Sequence, residues 1–110
     1  MTDLVAVLTT LPDDDAAEAL ARTIVEEHLA ACVNVLPPMT SVYRWEGRLE
    51  RSVERQLVMK TTRERLEALQ ARVLALHPYE LPEWIVVPVA DASAAYAAWL
   101  RAETAVPGGA

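Results

Sequence analysis

The segment His77-Pro78-Tyr79-Glu80-Leu81-Pro82-Glu83 gathers an imidazole, a phenol, two carboxylates and two prolines in one short stretch. An imidazole can ligate a metal or shuttle a proton near neutral pH. Carboxylates bind hard cations or take part in proton transfer. Each proline fixes its own φ and biases the preceding residue towards extended geometry, so His77 and Leu81 are held out of helix. A stiff polar segment at the end of an element is how a site is often built. The same residues also make a well-formed acidic connector between a helix and a strand, which is the simpler reading of the local pattern.

Other residues offer chemistry, each with a structural alternative. Cys32 and Asn34 fall on one face of a predicted strand, with Val33 and Val35 on the other. The Cys32 thiol could be a soft metal ligand, although free cysteines more often act as small buried hydrophobes. His77 is a candidate ligand and equally a helix C-terminal histidine stabilised by the macrodipole. Protonation in the second role would spoil the first. Glu83 stands just before an apolar strand, and a buried carboxylate needs a cation or several donors. Lys60, near the end of another predicted strand, is its expected partner, either to bind an anionic or zwitterionic ligand or to tie an interface. Tyr43, Trp45, Tyr79 and Trp84 are large side chains in a chain without Phe. They could stack on a ligand or anchor an interface. His28 reads as a boundary residue on a helix. The candidate metal ligands are therefore His77, Cys32 and Glu83, and the candidate pocket residues are Lys60, Tyr79, Trp45 and Asn34.

No GxGxxG, P-loop, GxSxG or HExxH motif is present. A Cys32–His77 nucleophilic pair can be written, but its spacing supplies no geometry. No catalytic residue is assigned, and no enzyme is expected.

Composition narrows the class. The chain has 110 residues, 53% of them hydrophobic, which suits one domain with one core. Its formal net charge is -6, and Arg44, Arg48, Arg51 and Arg55 are interleaved with acids rather than massed. Nucleic-acid binding, which needs a positive face, is not expected. No apolar run approaches a membrane span, and no basic-then-apolar leader opens the sequence. A single cysteine permits no internal disulfide. These features predict a cytoplasmic protein that avoids membranes.

The elements that must position the candidate residues follow from periodicity. Leu4 to Leu8 is an apolar strand, and Leu11 to Asp15 supplies turn and cap chemistry, with Asp15 and Glu18 at capping-box spacing. Ala17, Leu20, Ala21, Ile24, Val25 and His28 follow at helical spacing. Strand character returns at 31–36, breaks at Pro37-Pro38 and resumes at 40–43. Gly47 sits in a turn that calls for positive φ, and strands follow at 48–54 and 56–61. Thr62 is placed to cap a second helix with a buried stripe of Leu66, Leu69, Val73 and Leu76. A strand at 84–89 and an Ala-rich helix over 91–101 complete the domain, residues 1–104, with 105–110 as a tail.

This order predicts an α+β, ferredoxin-like βαββαβ sandwich with a C-terminal helix. Two further expectations arise. The arms flanking Gly47 run to about 13 residues each, so the hairpin spans roughly 40 Å, beyond a domain whose radius of gyration is near 13 Å. The strands at 4–8 and 84–89 are apolar on both faces, yet two helices cover only one. A neighbouring subunit is the economical cover.

With these residues assembled, the chain resembles the CutA family of divalent-cation tolerance proteins. The resemblance rests on Thr9-Thr10-Leu11-Pro12-Asp13, Leu29-Ala30-Ala31-Cys32-Val33-Asn34 and Ser41-Val42-Tyr43-Arg44-Trp45-Glu46-Gly47. It continues through Glu54, Lys60-Thr61, His77 to Glu83, and Tyr96 with Trp99. It implies a homotrimer with PII-like architecture, a long hairpin engaged in sheet pairing between subunits, and binding of copper or another divalent metal without an organic cofactor. A PII-like module for a small organic anion is the alternative it leaves open. Pro38 stands where the family usually has Gly, and Asp91-Ala92-Ser93 lacks the glycine often found before the last helix. Cys32 is the only cysteine, so no multi-thiolate copper site is implied.

Overall fold

The structure is a computed structural model, in which residues 2–106 are described. The element order is β1 (Leu4–Pro12), α1 (Ala16–Glu26), β2 (Cys32–Val35), β3 (Met39–Trp45), β4 (Arg48–Thr62), a 3-10 turn (Arg63–Arg65), α2 (Leu66–Leu76), β5 (Ile85–Pro88) and α3 (Ala94–Glu103). The expected tail lies outside the described residues from Pro107 onwards.

One antiparallel sheet is built in the order β2-β4-β1-β5, with β3 also pairing β4. β1 and β2 both run antiparallel to β4, so they are parallel to one another with β4 between them. β4 and β5 likewise flank β1. These are two interleaved split βαβ units, as the sequence predicts. α1 and α2 lie on one face, where Leu20, Ile24, Leu69 and Val73 pack with Val5, Val7, Leu57 and Met59 in one core. α3 crosses the other face at one end. Its Ala97 and Leu100 close over Leu4 and Ala31.

Most of that second face is bare. Alternation along the strands puts Asn34, Val58, Leu8 and Ile85 on one rung and Cys32, Lys60, Ala6 and Val87 on the next. Ile85 and Val87 are 47% and 41% exposed. The apolar face expected from composition is thus present, and the described residues of the single chain leave it uncovered.

The hairpin is as long as its arms require. β4 is one 15-residue strand, where the sequence suggests two runs. Its first half pairs with β3, from Arg48 opposite Trp45 to Glu54 opposite Met39, and of these residues only Glu54 also meets β1, at Pro12. The chain consequently extends 48 × 26 × 23 Å, with a radius of gyration of 14.8 Å. Glu46 and Gly47 both have positive φ, 50° and 78°, the signature of a two-residue type I′ turn that matches strand twist.

Several local expectations are corrected. β1 runs on to Pro12, because Thr9, Thr10 and Leu11 continue the ladder with β4. The Asp15–Glu18 capping box is not made. Asp14 Oδ1 accepts from the Ala16 amide at 2.8 Å, and Glu18 instead pairs with Arg22. Thr62 does not cap α2 with its side chain, since the 3-10 turn intervenes. Leu76 is exposed rather than part of the buried stripe. His28 is more than a boundary residue. It takes φ 59° just beyond α1, and the amides of His28 and Leu29 bond back to Val25 and Ile24, closing a Schellman motif usually given to glycine. Its Nδ1 donates to the Glu103 carbonyl at 3.0 Å, tying α1 to the end of α3.

One core position works against stability. Thr9 alternates with Val7 and Leu11 on the helix-covered face, fully buried, and its hydroxyl has no partner among the described residues. Thr9→Val removes that stranded group at nearly constant volume. It should raise stability by about 1 kcal/mol in urea unfolding. A lower midpoint would show that the hydroxyl is satisfied in the folded protein.

Candidate functional site

β1 ends at Pro12, opposite Glu54, while β4 and β3 continue outwards. The space left beside them is closed by the segment that follows α2. The result is a cleft of about 770 Å³ between the inner face of the hairpin and that segment. Its hairpin wall is Met39, Ser41, Tyr43 and Trp45, its floor is Thr10, Glu54 and Gln56, and its far wall runs from Tyr79 to Glu83.

His77 sets the segment in place. Pro78 holds it in extended geometry, φ -74° and ψ 135°, so α2 stops there. Its Nε2 donates to the Thr10 carbonyl at 2.8 Å, and its Nδ1 accepts from the Tyr79 amide at 3.1 Å. Those bonds require the neutral tautomer with hydrogen on Nε2. The imidazole is buried, and burial pulls its pKa below the ordinary value, against the opposing pull of the Thr10 carbonyl and the Glu54 charge. The Tyr79 ring packs on it with centroids 4.9 Å apart.

Tyr79 reaches from this brace to β4, where its hydroxyl donates to Glu54 Oε2 at 2.6 Å. Burial and then the hydrogen bond to Glu54 raise its pKa well above the ordinary phenol range, so the group stays a donor. Glu54 is only 7% exposed. One rung further, Gln56 Nε2 donates to Glu83 Oε2 at 3.4 Å.

The candidate residues thus separate into two groups. Tyr79, Trp45 and Glu83 line the cleft, with His77 bracing it from behind. Cys32, Asn34 and Lys60 sit together on the bare sheet face, the thiol 4.0 Å from Asn34 Oδ1. Lys60 is four residues along β4 from Gln56, about 13 Å at 3.3 Å per residue. The expected Glu83–Lys60 pair is not formed, and Gln56 is the partner of Glu83 instead. Nor does one chain gather His77, Cys32 and Glu83, and no group of three or more His, Cys, Asp or Glu among the described residues is arranged to hold a metal ion. Sequence reasoning overlooked Glu54 and Gln56 as site residues. Their roles come from contacts with residues more than 20 positions away, which no local pattern encodes.

Fold and site together define an α+β protein of split βαβ topology with an acidic cleft at the root of a projecting hairpin. Residues 5–103 match the family described as CutA1 divalent ion tolerance protein, and the chain belongs to that family. It is 45% identical over 98 residues to the divalent-cation tolerance protein CutA of Thermus thermophilus, covering 89% of this chain and 95% of that protein. The solved CutA of Xylella fastidiosa superposes with a TM-score of 0.90 at 42% identity, covering 94% of this chain and 99% of the other. A CutA from Archaeoglobus fulgidus, described as periplasmic, gives 0.88 at 29% identity over 92% of this chain and 98% of its own. The family is named for tolerance of divalent ions and not for a reaction.

The brace has a pH signature. Because the folded His77 pKa lies below 6.5, the unfolded chain takes up the proton first as pH falls. The stability that the neutral ring contributes is present above pH 6.5 and declines below it, down to the folded pKa. His77→Gln should flatten the loss of stability between about pH 7 and pH 5 in urea unfolding. An unchanged slope would assign the acid sensitivity elsewhere.

Proposed function

We propose that the protein takes part in the response to divalent metal ions as a non-enzymatic homotrimer that binds copper or another divalent cation, with no organic cofactor. The observation that carries this reading is the lining of the cleft. Glu54, Glu80 and Glu83 contribute carboxylates there, and no Lys, Arg or His joins them among the described residues. A concave site with one sign of charge concentrates ions of the other.

One chain offers fewer than three converging ligands among the described residues, so we read the ion as shared between chains. Glu83 in the cleft and Cys32 on the bare face are the groups to supply it. His77 would join only by giving up the bond from the Tyr79 amide. The trimer is supported by the uncovered rungs around Leu8 and Val87 and by the hairpin, where Val42 and Leu49 are 64% and 75% exposed. A PII-like site for an organic anion has less support, because Lys60 lies outside the cleft. We assign the protein to the cytoplasm on its single unpaired cysteine. Among the described residues no helix is long and apolar enough to cross a membrane.

Native mass spectrometry at micromolar concentration should show a trimer; a stable monomer would remove this assembly. Calorimetric titration of the metal-free protein should show copper binding that weakens about tenfold in Glu83→Gln, with the assembly intact. Zinc is the necessary companion, since copper binds most tightly at almost any such site. Unchanged affinity for both metals would take the cleft out of the reading.

A further inference from the structure

Glu54 poses an electrostatic problem that the chain leaves open. Its side chain is more than nine-tenths buried, and its one hydrogen bond comes from a neutral phenol on Oε2. Among the described residues Oε1 has no hydrogen-bond partner, and the four ion pairs found among those residues all involve other carboxylates. Oε1 is not sealed among the enclosed, unpartnered atoms, so it opens on the cleft, where a cation would meet a partly desolvated carboxylate. The free oxygen belongs to a residue that lines a cleft of about 770 Å³, far larger than a single ion. Nor do the acids around it converge on one point.

The positive charge that matches such a site is itself distributed along an extended molecule. An ammonium group offers three donors and no acceptor. It suits the unpaired oxygen of Glu54, and equally Glu83 beside Gln56. Between the polar groups the cleft is apolar and aromatic, with Trp45 and Tyr43 on the hairpin wall. Such walls accept methylene chains and favour cations over their ring faces.

We infer that the cleft binds a linear aliphatic polyamine, with one ammonium group on Glu54, a second towards Glu83, and the chain lying along Trp45 and Tyr43. This rests on reading the cleft as a cation site, and it adds a class of ligand that metal tolerance does not include.

The test is calorimetric titration of the intact, metal-free protein with spermidine at physiological ionic strength. Saturable binding at one site per chain is expected. Affinity should fall about tenfold in Glu54→Gln and about threefold in Trp45→Ala, a substitution on the exposed hairpin that leaves the core untouched. Equal affinity in both variants, or binding that does not saturate, would overturn the inference. So would dissociation of the assembly by Glu54→Gln, which would assign the carboxylate to a basic side chain of a neighbouring copy. Copper titration of the same proteins separates the two readings. Copper binding that depends on Glu83, without spermidine binding, sinks the polyamine and keeps the cation cleft. Absence of both sinks both.

Discussion

The architecture depends on β4 outrunning β1. From Thr62 back to Glu54 the strand is held on the β1 side by a continuous ladder. At Pro12 that ladder stops, because the chain turns away into the aspartates that precede α1. β4 continues for its remaining residues with β3 alone. The candidate site is arranged around that step. Glu54 lies on the last rung shared with β1 and also on the first rung of the hairpin, so it is buried from one side and opens on the cleft from the other.

The segment after α2 fills the step, and its rigidity is chemical. Pro78 keeps His77 extended, and the two ring nitrogens then find partners from different elements, a carbonyl of β1 and an amide of its own loop. A buried neutral imidazole with both nitrogens engaged serves as a strut. Tyr79 transmits that position to Glu54 through one short hydrogen bond. This makes the histidine a positioning group, and it leaves Glu54 and Glu83 as the polar groups that face the cleft.

Much of the fold is legible from residue order. The apolar run at 4–8, the stripe from Ala17 to Ile24, the break at Pro37-Pro38 and the turn at Gly47 each have a local cause, and together they specify the split βαβ order. The apolar character of Ile85 and Val87 also announces a face that two helices cannot cover. The site is less legible. His77 to Glu83 stands out by composition, but composition cannot say that the imidazole is used up in bracing. Lys60 is plausible as a partner of Glu83 by type, yet strand register puts it on another rung. Glu54 looks like one more charge in an alternating arm. Only the fold brings a tyrosine to it and turns a solvated acid into a buried one.

Position along the strands, not the face, separates two regions that composition mixes together, since Glu54 and Gln56 share one face of β4 with Val58 and Lys60. Cys32, Asn34 and Lys60 belong to the bare sheet face, where apolar neighbours such as Leu8 and Val58 favour a packed protein layer. Glu54, Glu83 and Trp45 belong to the cleft, where carboxylates and an open mouth favour a cation. The net charge of -6 draws cations to the whole molecule without choosing among them. Choice has to come from burial. A carboxylate on the solvated surface gains little from a counter-ion, whereas one held against Tyr79 in a confined space gains much more. On the proposed reading, Glu54 is therefore the position that would discriminate between positive ligands, by their size and by how their charge is spread.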